Sequence, residues 1–521
     1  MEKWRQKKAY HNRQASRYRR IISDSKNKLT TTAEFNLDQQ SISKDESTGT
    51  STVGPEEKMM SPGLSSSEEE KITIKVKNPD GKRKASKSTY NYDIKLSVIK
   101  REICQERIFS DDEITTAPYQ PEVDGPPGYK ITWNALAKII ILCVSYAIPA
   151  NRLALMLGNR FGAFCSSQIS RLLRFAAELF EDIYLCLPDQ LAELSILFGD
   201  DSPTNVTDSY LEEETDDKKK KKKYFVRIRE RLGQKHLRKD GKGFKSKLHV
   251  SFVAGRTDPT DPRSWIFFFH THVGSLGDLL SRIFYARSRK NKKIKIQGDL
   301  SSANHLDSLI SSLFETFYAG CGFHARRPFW RHREDDPGFC YLMLSSFALL
   351  ARLEKRLRKD GASPQRVVEL RTRHGTKIWS IILEACLQVI GEKPCTSPHQ
   401  YRWPSDHPIH KAAKYVVKNF PALTAYLRDP EIFFTNNLCE RLLRREKMML
   451  VSSKFRRNKD GRTAFDILQT ITATSTAAGV DLADYLYFVW KNRKAIKIDP
   501  TSFTPYGYAM SLEKTQECQA S

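Results

Sequence analysis

Three carboxylates stand where two-metal chemistry could be run. Asp200 follows the apolar run Ser195-Ile196-Leu197-Phe198, and Asp299 follows the alternating run Ile294-Lys295-Ile296-Gln297. Glu440 lies near the start of a helix beginning at about Asn437. Three converging acids cannot all stay ionised unless positive charge sits among them. Two Mg²⁺ (or Mn²⁺) ions about 3.5–4 Å apart are the usual answer in phosphoryl transfer. One activates the attacking oxygen and the other stabilises the leaving oxygen; all-oxygen donors suit such hard ions. Each acid also has an ordinary reading. Asp200 suits a turn after a strand, with Asp201 equally available. Asp299 could cap a helix. Glu440 could close a capping box with Asn437 as N-cap, and it stands four residues before Arg444. The catalytic reading rests on all three acids occurring at these places in one strand order.

The elements that must position them alternate. Residues 195–198 read as a strand, followed by strands at 248–254 (LHVSFVA) and 265–270 (WIFFFH). Residues 276–287 read as a helix, 294–297 as a strand and 304–317 as a helix. Three antiparallel strands followed by a helix and a parallel strand make an RNase H-like order. In that order the ends of the first and fourth strands are neighbours, and a later helix can lay an acid beside them. Upstream, residues 133–189 read as helices. Two of them flank a break at 158–167, which fits a helix-turn-helix or an ordinary helical hairpin. Downstream, residues 339–427 read as helical, followed by helices at 437–458 and 463–476.

The expected fold class is therefore α/β: an RNase H-like catalytic core, a mixed sheet with helices, carrying an all-α insertion before the last acid. A helical N-terminal DNA-binding region and a disordered N-terminal segment precede it. The expected division is a basic arm and largely disordered region over 1–91, with a short strand at 72–76, and a helical region over 92–190. The core's first part spans 191–330, the helical insertion 331–430, the core's last helices 431–495, and the tail 496–521.

Charge points to a partner. The 521 residues carry 86 Lys+Arg against 61 Asp+Glu, a formal charge of +25. That is too charged for a membrane protein, and at 40% hydrophobic residues too apolar for a wholly disordered one. Nucleic acid is the leading polyanionic partner. The ten cysteines are scattered without a C-x-x-C pair, as in a reducing compartment. With no apolar signal core near the start, the expectation is a cytoplasmic, nucleoid-associated protein without a membrane partner.

Several blocks, in order, resemble the transposases of bacterial insertion sequence 66 elements. The helical block KITWNALAKIIILCVSYAIPANRLALML is followed by SQISRLLRFAAELFEDIYLCL. Leu197-Phe198-Gly199-Asp200-Asp201-Ser202-Pro203 is similar to the family's Ala-Asp-Glu-Thr-Pro block, and Gln297-Gly298-Asp299 to its Gln-x-Asp-Gly-Tyr block. Cys321-Gly322-Phe323-His324-Ala325-Arg326-Arg327-Pro328-Phe329 resembles its Cys-x-x-His-Ala-Arg-Arg-x-Phe block. Asn436-Asn437-Leu438-Cys439-Glu440-Arg441-Leu442-Leu443-Arg444 resembles its Asn-Asn-x-x-Glu-Arg-x-x-Arg block. Gly479-Val480-Asp481-Leu482-Ala483-Asp484-Tyr485-Leu486 resembles its closing segment. The resemblance runs over about 127–492. It implies a DDE transposase with Asp200, Asp299 and Glu440 as catalytic, metal-holding acids. It also implies metal-dependent cleavage at element ends and attack of the freed 3′-hydroxyl on target DNA. Double-stranded DNA, a homo-oligomer on paired ends and accessory transposition proteins would be the partners. The chain departs from the pattern at Asp201 and Ser202, at Leu300-Ser301 in place of Gly-Tyr, and in lacking a cysteine-rich N-terminal module.

Other residues carry secondary expectations. Arg326 and Arg327 suit phosphate contact, or pairing with Glu334, Asp335 or Asp336. Arg441, Arg444 and Arg445 follow Glu440 on one helix and could grip the DNA backbone. Lys218, Lys219, Lys220, Lys221, Lys222 and Lys223 form a basic insertion, suited to nonspecific phosphate binding or to neutralisation by neighbouring acids. Cys321 and His324, like Asn436 and Asn437, read as structural parts of their blocks. Cys321 and His324 could also bind a metal, which Cys395 and His399 could complete. Two alternatives remain open: a decayed or repurposed DNA-binding copy, and an RNase H-like nuclease without strand transfer.

Overall fold

A computed structural model describes residues 107–109, 114–116, 124–157, 164–204, 248–288, 290–391, 403–453 and 459–520. The expected N-terminal arm, the strand at 72–76, most of the break at 158–167, the lysines 218–223, and Cys395 and His399 lie outside the described residues.

A short antiparallel hairpin, β1 (Arg107–Phe109) and β2 (Ile114–Thr116), comes first. Helices α1 (Trp133–Val144), α2 (Ala150–Leu157), α3 (Ser166–Leu179) and α4 (Glu181–Ala192) follow. The sheet is then built from β3 (Ile196–Pro203), β4 (Leu248–Arg256), β5 (Trp265–Val273), helix α5 (Leu276–Tyr285) and β6 (Lys293–Gly298). A short helix α6 (Ser308–Leu313) leads to β7 (Glu315–Gly320). The strand order is β5-β4-β3-β6-β7. The first three strands are antiparallel, and β3–β6 and β6–β7 are parallel.

Two expectations change here. Residues 304–317 do not form one helix: α6 ends at Leu313, and Glu315–Gly320 pairs with β6 as a fifth strand. Leu306, Ile310 and Leu313 keep helical spacing, but Thr316, Phe317 and Tyr318 are strand formers whose pairing with β6 decides the matter. β3 also runs on past Asp200 to Pro203, because β4 continues to pair with it as far as His249.

The sheet buries both faces. Leu197, Val253, Ile266, Phe268, Ile294 and Ile296 pack with the upstream helices. Ile196, Phe198, Phe252, Ala254, Phe267 and Phe269 face the helices that follow β7. This is the alternation of strand side chains, with each face finding its own layer. The second layer comprises α7 (Gly322–Arg331), α8 (Pro337–Lys359), α9 (Pro364–Leu370), α10 (Thr376–Ile390), α11 (Pro408–Lys418) and α12 (Phe420–Leu423). Asp336 caps α8 by accepting from Phe339 N at 3.1 Å, with Pro337 opening the helix. Buried Arg371 binds both oxygens of Glu354 at 2.8 and 2.7 Å and donates to the carbonyls of Tyr426, Asp429 and Ile432. It thereby fastens the helical layer to the chain segment returning to the sheet.

The chain closes with α13 (Asn437–Ser453), α14 (Lys459–Ala478), α15 (Leu482–Lys491), α16 (Arg493–Ile496) and α17 (Pro505–Ala520). Helix α14 covers the outer edge of β5. The amides of Phe267, Phe269 and Thr271 donate to Thr474 Oγ1, Thr470 Oγ1 and Asp466 Oδ2 at 3.2, 3.0 and 2.8 Å. Four helical residues advance about 6 Å and two strand residues about 6.8 Å, so one side chain per turn can serve every second edge amide. An edge open to pairing is thus closed by side chains. The ladder continues into fully buried Arg462, which binds Glu446 at 2.6 Å and Asp466 at 2.8 Å. Among the described residues no helix is long and apolar enough to cross a membrane, and the cysteines form no disulfide.

Two substitutions test this edge closure by urea or thermal unfolding. Thr470→Val keeps the shape but removes the acceptor of the Phe269 amide, and should cost about 1–3 kcal/mol. Arg462→Met leaves two buried carboxylates without their cation and should cost about 3–5 kcal/mol.

Candidate functional site

The first two acids are brought together by strand register. Phe198 of β3 is paired with Gln297 of β6 in parallel, and Asp200 and Asp299 each stand two residues further along. Equal offset from one pair puts both acids on the same side of the sheet. The backbones run close there: a Cβ on Gly298 would sit 3.3 Å from the Gly199 carbonyl. Asp200 Oδ1 accepts from the Asp201 amide at 2.9 Å. Asp299 Oδ1 accepts from the Ser301 amide at 2.9 Å and from Asn304 Nδ2 at 2.6 Å. Tyr415 of α11 donates to the Asp299 carbonyl at 3.0 Å. Leu300 makes the turn out of the strand with φ of 61°. That left-handed conformation costs a non-glycine residue about 1–2 kcal/mol. Asp201 is used differently, with Oδ2 facing the Leu276 amide at the start of α5, 3.4 Å away.

The third acid arrives from a segment stitched across the sheet. The Gln297 side chain accepts from the Phe433 amide at 3.0 Å and donates to the Phe433 carbonyl. The Gly322 amide donates to the Phe434 carbonyl at 2.9 Å, and the Asn436 amide to Cys321 Sγ at 3.2 Å. Asn436 Nδ2 then donates to the Gly199 carbonyl at 2.8 Å. The Asn436 carbonyl accepts from the Glu440 amide at 3.3 Å, so Asn436 rather than Asn437 caps α13. Its side chain is spent on the sheet, and Asn437 opens the helix. Glu440, one turn on, therefore shares the helix face that meets β3.

The electrostatics agree with convergence. Burial raises the Asp200 carboxyl, and the charges of Asp299, Glu440 and Asp201 add to it against the Asp201 amide, giving about 7. Glu440 also meets an imidazole and a guanidinium. Its Oε1 lies 3.3 Å from His324 Nδ1, and its Oε2 3.4 Å from an Arg327 nitrogen. Burial holds His324 below its ordinary value, with Glu440 opposing.

Not every expected residue reaches this place. Arg327 does, whereas Arg326 lies over the Trp330 ring at 5.6 Å. Arg445 is drawn out of solvent near Arg441 and Tyr146, so that burial lowers its pKa. Arg444 is exposed. Gln297, Asn304 and Tyr415 were missed by sequence reasoning. Gln297 alone left a signal, a polar residue completing an apolar alternating strand just before an acid. Asn304 and Tyr415 acquire their roles only through the turn at Leu300 and the packing of α11.

The raised Asp200 value has a testable sign. The folded protein keeps this proton between the ordinary value of 3.8 and about 7, where the unfolded chain has released it. The associated stability is fully present below the ordinary value and is lost as pH rises through about 7. In metal-free protein, Asp200→Asn should therefore raise the melting temperature above neutral pH, with the gain shrinking towards acid pH. The difference is on the order of a few kcal/mol, at about 1.4 kcal/mol per pKa unit.

Residues 310–464 match the model of the Transposase IS66 family. No curated protein and no solved structure matches the chain. The matched stretch begins after Asp299 and contains β7, the Cys321–Phe329 block, the helical layer and α13 with Glu440. Over this stretch, less than a third of its length, the chain is similar to the Transposase IS66 family.

Proposed function

We propose that Asp200, Asp299 and Glu440 form the metal-holding centre of a DDE transposase on an RNase H-like core. The observation that carries this reading is the convergence of the three acids: burial first, and then the charges of Asp299, Glu440 and Asp201, push Asp200 up to about 7. A structural turn or cap has no need of two further acids close enough to raise a buried carboxyl. The donor set is all oxygen, as Mg²⁺ or Mn²⁺ prefers, and a cation between the acids would remove the repulsion. When bound, two such ions would supply charge neutralisation and Lewis acidity at a phosphodiester.

The chain's own groups would do the rest. Asp200 gives up its proton as positive charge enters. Ser301 and Asn304 hold one oxygen of Asp299 so that the carboxylate keeps its orientation. His324 and Arg327 steady Glu440, and Arg327 is near enough to that acid to meet a phosphate brought there. Arg326, Arg441, Arg444, Arg445 and the 218–223 lysines would add phosphate contacts along double-stranded DNA, in line with the +25 charge. The proposed reaction is strand cleavage at element ends followed by 3′-hydroxyl strand transfer, carried out by a homo-oligomer with or without accessory proteins.

A cleavage and strand-transfer assay on the element's own ends with Mg²⁺ tests this. Wild type should cleave and join, and Asp299→Asn should lose at least about 10³-fold of the rate. Equal behaviour of the two proteins overturns the acid centre. Cleavage without joining points to a nuclease, and DNA binding without cleavage to a repurposed copy.

A further inference from the structure

The contact that steadies Glu440 has an unusual geometry. Cys321 Sγ, a ring nitrogen of His324 and a carboxylate oxygen of Glu440 all lie within 4.8 Å of one another. His324 Nδ1 and Glu440 Oε1 are buried atoms 3.3 Å apart, yet they do not align as a hydrogen bond. Two ligands each about 2.0–2.1 Å from a tetrahedral ion stand about 3.3–3.4 Å apart, with lone pairs aimed at a third point. The spacing and the misalignment fit that arrangement better than a direct pair. The sulfur is also prepared. Cys321 is fully buried, the Asn436 amide donates to Sγ at 3.2 Å, and the amides of Phe323 and His324 lie where they favour its negative form. Burial opposes them and raises the thiol to about 11, a balance that an ion bound to sulfur would reverse.

We propose that Cys321, His324 and Glu440 form a mononuclear site for a borderline transition ion, Zn²⁺ by its ligand chemistry, distinct from the all-oxygen acid centre. Thiolate, imidazole and one carboxylate select against Mg²⁺. The Sγ proton leaves to solvent as the metal–sulfur bond forms, so binding strengthens as pH rises. Because Glu440 belongs to both sites, an ion held here withdraws that acid from the hard-cation centre. Only this last consequence, inhibition of strand cleavage by zinc, rests on the transposase mechanism above; binding itself does not.

The experiment uses the full chain, stripped of metal by chelation and titrated with Co²⁺ alone in the absence of DNA. The wild type should take up one equivalent, with the thiolate-to-cobalt charge-transfer absorption of a sulfur ligand, and Zn²⁺ should displace it. Cys321→Ser should abolish that absorption. His324→Ala and Glu440→Gln should each weaken binding by more than the roughly 10–100-fold that loss of an outer partner produces. Cys165→Ser, at the N-cap of α3 and outside the cluster, should change nothing. Near-ultraviolet circular dichroism reports folding. If Cys321→Ser fails to fold, His324→Ala carries the test, since His324 is only partly buried. No sulfur absorption in the wild type, or full affinity in a folded Cys321→Ser or His324→Ala protein, overturns the site. With no DNA present, that failure leaves the acid centre standing, and an inactive cleavage assay leaves the binding result standing.

Discussion

The hydrogen bond from Asn436 to the Gly199 carbonyl is the constraint on which the arrangement of the acids depends. It joins the start of α13 to the middle of β3, beside Asp200, and Glu440 follows one helical turn after Asn436. Gln297 holds the preceding segment through Phe433, and Cys321 holds the Asn436 amide itself. Backbone groups buried between a sheet and a helical layer must find partners or cost the fold free energy. Here the partners are side chains that also carry the third acid to the other two. Structural pairing and assembly of the site are one set of contacts.

Two buried arginines extend the same logic. Arg371 gathers three carbonyls of the returning segment while bound to Glu354. Arg462 ties α13 to α14 through Glu446 and Asp466, and α14 in turn closes the edge of β5. Hydrophobic burial on the two faces of the sheet holds the layers together, but it sets their relative positions only loosely. Directional polar contacts settle where along the sheet the helices stop. That precision would matter to the proposed centre, because carboxylates that share cations must be placed to within fractions of an ångström.

The acids are kept in unequal company. Asp200 meets burial and other acids, and retains its proton to near neutral pH. Glu440 meets Arg327 and His324. The chain thus sets a proton at one end of the three carboxylates and the Arg327 guanidinium at the other. In the proposed centre, bound positive charge would take the place of the Asp200 proton. The Cys321–His324 pair sits at the end already furnished with nitrogen and sulfur, so ions of different hardness would be drawn to different sides of one glutamate.

The local parts of this protein were readable from its residues. Periodicity marked β3, β4, β5 and β6, and the positions of Asp200 and Asp299 beside Phe198 and Gln297 made their neighbourhood a reasonable expectation. The blocks around Cys321 and Asn436 carried the resemblance, and both lie in the stretch that matches the family model. Residues 315–320 were misread because a helical spacing ran into them, and only pairing with β6 decided their state. Asn437 was read as the cap because capping is judged from neighbours, whereas Asn436 is claimed by a carbonyl 237 residues away. The same holds for Tyr415 on Asp299 and Arg327 on Glu440. Sequence by itself determined what each segment prefers and which chemistry its residues can perform. The tertiary structure alone decided which groups meet, because burial and hydrogen-bond pairing are settled between distant segments competing for the same partners.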